Sequence, residues 1–391
     1  MNQDNIAFKS IIWVCIFAMF AAYPAQLVNA QTYVYSPGYG LSSSSKSGLE
    51  TYLGSISSAP NPFSDKEVKI ANQTRSFSPR VRGKTDVILF GQSQGGIRAR
   101  AWLQQQATST ERNAVKGFAT ISSPNTGGPI LSTGVSKLRR EARIAWKFSS
   151  WVPGANAFAL AGLESGIRSI EQSYFGGRAD GVKDMRVGST LLNSLNRPPT
   201  TSCYTKKYYV TKRFGWFRYK VARYYRVCKK LPMAARDTIP STTAVMSIVT
   251  ANNSVDGFFA AATNNRFDGT TRVAAASAFT IASVAFFAAG IWPWSWWKLG
   301  VAVSLAGVAQ FLWRIPSIYR NIVGSRDHDG LFPEKNQVIP RAAGGRNHTT
   351  VRMEKAYHEL EFDPNFPGAL SKYADETAQY LERLAVSAGV K

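Results

Sequence analysis

Acidic residues, histidine and cysteine are scarce in this chain, and each scarcity narrows its chemistry. Asp and Glu total 24 against 47 Lys and Arg, a net charge of +23, with three His and three Cys among 391 residues. No Cys-x-x-Cys pair, zinc-ligand spacing, Walker-type phosphate loop or aromatic RNA-binding motif is present. A zinc module, a nucleotide-phosphate loop and an RNA reader therefore have no support. No cofactor, no metal and no nucleic-acid partner is expected. The positive balance favours anionic partners such as an acidic lipid surface or a polyanionic glycan. A site that needs an imidazole must draw on His328, His348 or His358.

What is present suits a packed globular protein, with 45% hydrophobic residues. The length accommodates one large α/β domain with a sizeable insertion, or two smaller domains. The N-terminus reads as a secretory signal. Lys9 supplies the charge, Ile11 to Ala22 an apolar core too short for a bilayer span, and Val28-Asn29-Ala30 the small residues of a cleavage site after Ala30. An uncleaved membrane anchor is the competing reading. Cleavage would remove Cys15 and leave Cys203 and Cys228, an even pair in an oxidising compartment. A disulfide between them would close a loop of about 25 residues and contribute ~3 kcal/mol through loop entropy; two free buried thiols are the other possibility. The expected location is secreted or periplasmic, with membrane association.

Along the mature chain, Thr32-Tyr33-Val34-Tyr35 is a short β-type run ended by the turn residues Ser36-Pro37-Gly38-Tyr39-Gly40. Val68-Lys69-Ile70 suggests a brief strand. Val87-Ile88-Leu89-Phe90 is a continuous apolar run, as expected of a central parallel strand buried on both faces. Gly91-Gln92-Ser93-Gln94-Gly95-Gly96 ends it, Ile97 to Gln106 reads as a helix, and Ala114 to Ser122 as the next strand, together a βαβ unit. Amphipathic helical stretches near 135–148 and 156–172 follow. A C-terminal helix is expected near 370–388.

Gly91-x-Ser93-x-Gly95 has the form of a nucleophile elbow, a turn so tight that side chains flanking the serine would clash. Five residues of this kind arise readily by chance; the apolar strand before them, the second glycine Gly96 and the helix after them are what single out Ser93. An ordinary glycine-rich βα turn is the bland reading. Phe90-Gly91-Gln92-Ser93-Gln94-Gly95-Gly96-Ile97-Arg98-Ala99-Arg100 resembles the elbow of secreted bacterial triacylglycerol lipases of the α/β-hydrolase superfamily, which read G-H-S-Q-G-G. Val115 to Gly128 resembles their next strand and its T-P-H-x-G loop. Gln92 and Asn125 stand where that family carries histidines. The resemblance covers about 32–130 and 325–350.

A serine nucleophile needs a base, and histidine has the suitable affinity for a proton. His348 follows Asn347, resembling the N-H pair that carries the catalytic histidine in these lipases, whereas His358 lies in an amphipathic stretch and reads as a packing residue. Asp329 opens Asp329-Gly330-Leu331-Phe332-Pro333, resembling the family's D-G-L-V run, and the order Ser, Asp, His is that of α/β-hydrolases. Asp327, Asp256 and Asp268 compete for the role. The two oxyanion donors are expected from the N–H of Gln94 and, by resemblance to the family's H-G-x loop, the N–H of Tyr39 after Pro37-Gly38. These lipases often hold a calcium ion through an aspartate two residues beyond the histidine; Thr350 stands there, so no calcium is expected at that position.

Between Cys203 and Cys228 the sequence is basic and aromatic with no acidic residue, and Gly215 suits the turn of a β-hairpin. It reads either as a docking surface for anionic head groups or glycans, or as a solvated hairpin with aromatic cross-strand pairs. Two apolar runs follow, Val273–Ile291 and Leu299–Ile315, joined by a tryptophan-rich segment at 292–298. They suit an interfacial lid, with a membrane hairpin and ordinary core helices as competitors; the first, at about 19 uncharged residues, is near the minimum for a span.

The sequence thus implies an α/β fold: an α/β-hydrolase core with a mostly parallel central sheet at 31–134 and 325–391, a signal peptide at 1–30, and an inserted cap or lid at 135–324. The expected activity is hydrolysis of lipid carboxylic esters through an acyl-enzyme, with Ser93, Asp329 and His348 as the triad, at an anionic membrane surface engaged by the basic hairpin. The contrasting reading is a catalytically idle hydrolase fold that binds anionic membranes.

Overall fold

The computed structural model describes residues 31–38, 47–60, 68–133, 140, 180–196, 201–214, 217–230, 238–252, 269–290, 296–354, 356, 358 and 369–390. The expected signal at 1–30, the helical stretches near 135–148 and 156–172, most of the tryptophan segment, Tyr39, Asp256 and Asp268 lie outside these residues.

The chain has an α/β fold. Six parallel strands form the central sheet: β1 (Thr32–Ser36), β2 (Ile56–Ser58), β3 (Val87–Gln92), β4 (Val115–Ile121), β7 (Ile239–Ala251) and β8 (Gly344–Glu354), in the order β2-β1-β3-β4-β7-β8. The remaining strands, β5 (Thr201–Phe214) and β6 (Phe217–Lys230), form a separate antiparallel ribbon.

Strand periodicity assigns the two faces of the sheet. Tyr33, Tyr35, Ile88, Phe90, Ala119, Ile121, Met246 and Ile248 point to one face, where they meet Leu49 of helix α1 (Ser47–Leu53) and Leu381 and Leu384 of helix α5 (Ala369–Ala388). Val34, Val87, Leu89, Val115, Phe118 and Val245 point to the other, against Ala99 of helix α2 (Gln94–Ala101) and Trp102 just beyond it. All six residues of β3 are buried, as a strand covered on both faces requires. Each large apolar side chain so enclosed contributes about 1.5–3 kcal/mol.

The boundaries of the expected insertion need correction. β7 lies inside 135–324, yet it is a sheet strand between β4 and β8. Its burial is continuous from Thr243 to Ala251, and Pro240 falls where its pairing with β8 changes register, a site where a missing N–H is tolerated. The core therefore re-enters the sequence midway through the expected cap. Val68-Lys69-Ile70 is not a strand; Ile70–Asn72 forms a single 3₁₀ turn.

The apolar pair forms a helical hairpin of α3 (Gly269–Gly290) and α4 (Trp296–Val323). Leu305, Val308, Leu312, Ile315 and Tyr319 of α4 pack with Ile97 and Ala101 of α2 and with Leu331 and Phe332. One face of α4 is thus part of the body that carries the central sheet. The β5–β6 ribbon pairs over its whole length with Cys203 opposite Cys228. Both of its faces carry exposed cations and tyrosines: Lys206, Tyr208, Arg223 and Tyr225 on one, Lys207, Tyr209 and Tyr224 on the other.

Candidate active site

Ser93 occupies the junction of β3 and α2 with φ 50° and ψ −125°, a backbone conformation that residues with a Cβ adopt only when the surroundings impose it. Its N–H donates to the Ile121 carbonyl at 2.8 Å, and its carbonyl accepts from the Gly96 N–H at 3.2 Å. The flanking glycines have separate steric reasons. A Cβ on Gly91 would lie 2.6 Å from backbone atoms of Gly95 and Gly96; one on Gly95 would collide with the Ser36 and Pro37 carbonyl oxygens, and one on Gly96 with the Ser123 hydroxyl. The first turn of α2 is therefore pressed against the end of β1, which brings the Pro37-Gly38 segment beside the serine.

His358, not His348, meets Ser93. The Nε2 of His358 lies 2.7 Å from the Ser93 Oγ, and its Nδ1 lies 2.7 Å from Asp329 Oδ2. With the proton on Nδ1, the imidazole donates to the carboxylate and accepts from the serine hydroxyl. The ring is buried, stands edge-on to Phe332 with centroids 4.7 Å apart, and its backbone N–H donates to the Asp329 carbonyl at 2.8 Å.

The expectation for His348 fails for a topological reason. In a parallel sheet the crevice for chemistry lies beyond the carboxyl ends of the strands, where β3 delivers Ser93. His348 lies within β8, where Val351 is the residue in register with Gln92 through Ile121 and Ile248, so it sits three residues, about 10 Å at ~3.3 Å per residue, below the end of β3. Its Nε2 instead bonds the Gly344 carbonyl at 2.7 Å. His358 comes just after β8 ends and reaches the crevice. The signal that could have found it was the length of the apolar and polar run through Glu354.

Asp329 is fully buried in a turn built around its own carboxylate. Oδ1 accepts the N–H groups of Leu331 at 2.8 Å and Phe332 at 2.7 Å; Oδ2, which holds His358, also accepts from the Thr250 hydroxyl at 3.3 Å. Thr250 is bonded in turn to the Ser122 hydroxyl at 2.6 Å, and its N–H to the Gln337 side chain at 2.8 Å. Ser122 has a positive φ of 48° at the end of β4. None of these supporting residues was singled out from the sequence, because only tertiary folding brings the ends of β4 and β7 to the turn after α4. Tyr319 of α4 donates its hydroxyl to the Gly330 carbonyl at 2.6 Å; burial, and secondarily the nearby Asp329 charge, push that hydroxyl well above the ordinary tyrosine range, so it stays a neutral donor.

The other candidates lie apart. Asp327 is exposed next to the turn. His328 is buried, and its Nδ1 accepts the Gly330 N–H at 3.0 Å. Gln94 stands at the first position of α2, where its N–H has no partner within the helix. The two departures from the lipase pattern have structural partners: Tyr35 donates to Gln92 at 3.1 Å, and the Asn125 amide donates to Thr120 at 2.9 Å and the Gln337 carbonyl at 2.6 Å. Arg100, fully buried in α2, donates to the Leu195 carbonyl at 2.6 Å and to Gln104 at 2.8 Å, and burial lowers its guanidinium to about 9. Among the described residues no group of three or more His, Cys, Asp or Glu side chains converges as metal ligands would.

No family model matches the sequence, and no curated protein matches it. Among solved structures the chain is similar to phospholipase PlaB from Legionella pneumophila, at TM-score 0.29 and 11% identity, over 74% of this chain and 65% of that one. The matched region thus spans less than two thirds of that phospholipase. What the chain itself displays is an α/β fold whose parallel sheet carries, at its carboxyl edge, a buried Ser93–His358–Asp329 chain of hydrogen bonds.

Proposed function

We propose that the protein is a serine ester hydrolase acting on lipid esters through an acyl-enzyme. The observation that carries this reading is the unbroken Ser93–His358–Asp329 contact at 2.7 Å and 2.7 Å. It favours a working centre over the catalytically idle fold. Ser93 attacks the ester carbonyl while His358 Nε2 takes the hydroxyl proton. Asp329 holds the ring with Nδ1 protonated and faces the imidazolium that forms. The Gln94 N–H stabilises the oxyanion, and the Tyr39 N–H is the proposed second donor. His358 then returns the proton to the departing alkoxide, and water, deprotonated by the same nitrogen, releases the acid.

Lipid as the substrate class is supported by the attachment of the apolar α3–α4 hairpin to the turn that carries Asp329 through Tyr319, Leu331 and Phe332. The basic ribbon is proposed to engage anionic head groups. Export and a Cys203–Cys228 disulfide belong to the same reading, and the register that sets the two cysteines opposite each other supports the pairing.

A fluorophosphonate probe tests the centre. Wild type should be labelled and turn over a soluble short-chain ester, whereas Ser93→Ala should do neither. Equal labelling of the two proteins would remove Ser93 as the nucleophile.

A further inference from the structure

Helix α3 covers α4 on the outside of the molecule without a polar face of its own. From Val273 to Ala288 it has no charged residue, yet Ile281, Val284 and Phe287 are 70%, 64% and 56% exposed, and Val303 on α4 is 65% exposed beside them. Two hydroxyls in the exposed half of α3 turn inward. Thr280 donates to the Ala276 carbonyl at 2.8 Å and Ser283 to the Ala302 carbonyl at 2.7 Å, so both turn back onto helix backbone, as hydroxyls do where no water is available. An isolated exposed leucine or valine is ordinary, but a contiguous apolar face of this kind marks an interaction surface.

Charge and polarity identify the occupant. Between Asp268 and Asp327 the chain has no acidic residue and five cations, Arg272, Lys298, Arg314, Arg320 and Arg326, of which all but Lys298 lie toward the base of the hairpin. The outward positions of α4 change in order along the helix: Val303 and Ala306, then Gln310 and Trp313, then Arg314, Ser317 and Arg320. Ser283 bonding Ala302 sets the two helices level, so the apolar positions of both lie toward the closed end of the hairpin and the exposed arginines toward its base. From Val303 to Arg314 is about 16 Å at 1.5 Å per residue, and α4 runs about 10 Å further to its start at Trp296, so the hairpin stays within the ~15 Å of one leaflet when it lies obliquely with its exposed face down. The order along this exposed face, apolar, then polar and aromatic, then cationic, is the order met from the acyl chains of a leaflet to its phosphates.

We propose that the α3–α4 hairpin enters one leaflet of an anionic lipid bilayer, with Ile281, Val284, Phe287 and Val303 among the acyl chains and Arg314 and Arg320 at the phosphates. The hairpin does not span the membrane. Val301–Val323 is long and apolar enough to cross by length and hydropathy, but its other face is occupied by the sheet-bound helix α2 and the Asp329 turn. Tyr319, which holds that turn, is only about 7.5 Å along the helix from Arg314. The catalytic crevice then stands at head-group level, where the ester bonds of bilayer-forming lipids lie. This choice of substrate rests on the Ser93 hydrolase reading; the docking does not.

The test uses the full mature chain and vesicles of phosphatidylcholine alone or with 30% phosphatidylglycerol. Wild type should co-sediment with the mixed vesicles and more weakly with the neutral ones. Ile281→Glu/Phe287→Glu should bind the mixed vesicles at least tenfold more weakly while keeping its far-UV spectrum and its turnover of a soluble short-chain ester. Arg314→Glu/Arg320→Glu should bind the mixed vesicles several-fold more weakly, the remaining preference for them coming from the basic ribbon; an unchanged preference would remove the two arginines from the phosphates. Equal co-sedimentation of wild type and the apolar double variant overturns the proposal, as does failure of wild type to bind. A lipid-free dimer that the double variant disperses and vesicles do not would assign the face to a second copy instead. Retained vesicle binding without hydrolysis of any ester would overturn the Ser93 reading and leave the docking intact.

Discussion

The hydroxyl of Thr250 reaches the same carboxylate oxygen of Asp329 that takes the imidazole of His358, at 3.3 Å and 2.7 Å respectively. The far end of β7 thereby supports the acid of the relay, and a strand outside the expected core becomes part of the site. Thr250→Val keeps the shape and removes the donor. Loss of about 1–2 kcal/mol of orientation predicts a kcat about 5- to 30-fold lower with KM little changed, and Thr250→Ser should restore most of it. Steady-state kinetics on a soluble ester separate the two parameters; an equal rise in KM would point to a general disturbance instead.

The exchange of histidines gives the sharpest comparison. His358→Ala should lower kcat/KM by at least about 10³-fold, because among the described residues His358 is the base bonded to Ser93. His348→Ala, which removes only a bond to the Gly344 carbonyl, should stay within about threefold, well under 1 kcal/mol of transition-state stabilisation. The opposite ranking would restore the assignment that the sequence pattern suggested.

Glycine at position 95 is a requirement of packing. Gly95→Ala would drive a methyl group into the carbonyls of Ser36 and Pro37, with a cost of at least ~2 kcal/mol and a fall in Tm of about 4 °C or more. Gly48→Ala in α1 is the control, since its methyl would meet only the Ala374 Cβ at 3.4 Å; its Tm should be unchanged or slightly raised. Differential scanning calorimetry on both variants decides the point.

His328 predicts a pH effect separate from catalysis. Burial lowers its affinity for a proton below the ordinary 6.5; Arg320 acts in the same direction, while Asp329 and Asp327 oppose it. Protonating Nδ1 would also set it against the Gly330 N–H that it accepts. The unfolded chain takes up this proton near pH 6.5 and the folded chain does not. The contribution is therefore complete above that pH and declines as pH falls through and below it, by up to ~1.4 kcal/mol per unit. His328→Asn, which retains an acceptor for Gly330, should flatten the fall in Tm between pH 6.5 and 5. An identical slope in both proteins would exclude His328 as its source.

Much of the architecture was determined by sequence of short range. The apolar run Val87–Phe90 could only be a strand covered on both faces. The glycines at 91, 95 and 96 pointed to a turn in which flanking side chains have no room, and Asp329 stood out by the Asp-Gly-Leu run that it opens; the structure then showed the N–H groups of Leu331 and Phe332 closing on its carboxylate. These features are local, set by steric exclusion, periodicity and hydrogen bonds within a few residues. The choice between His348 and His358 was not local. It depended on where β8 ends relative to β3, a matter of register across the sheet that the Asn-His pattern does not encode. The same holds for β7, whose place beside β4 comes from pairing over more than a hundred residues of intervening chain. It also holds for the hairpin, where composition favoured an interfacial lid and left span and core helix as competitors. Only packing decided that α4 has one face in the body of the protein while α3 keeps its apolar side outward, because burial is a property of what the chain brings together and not of the run of residues itself.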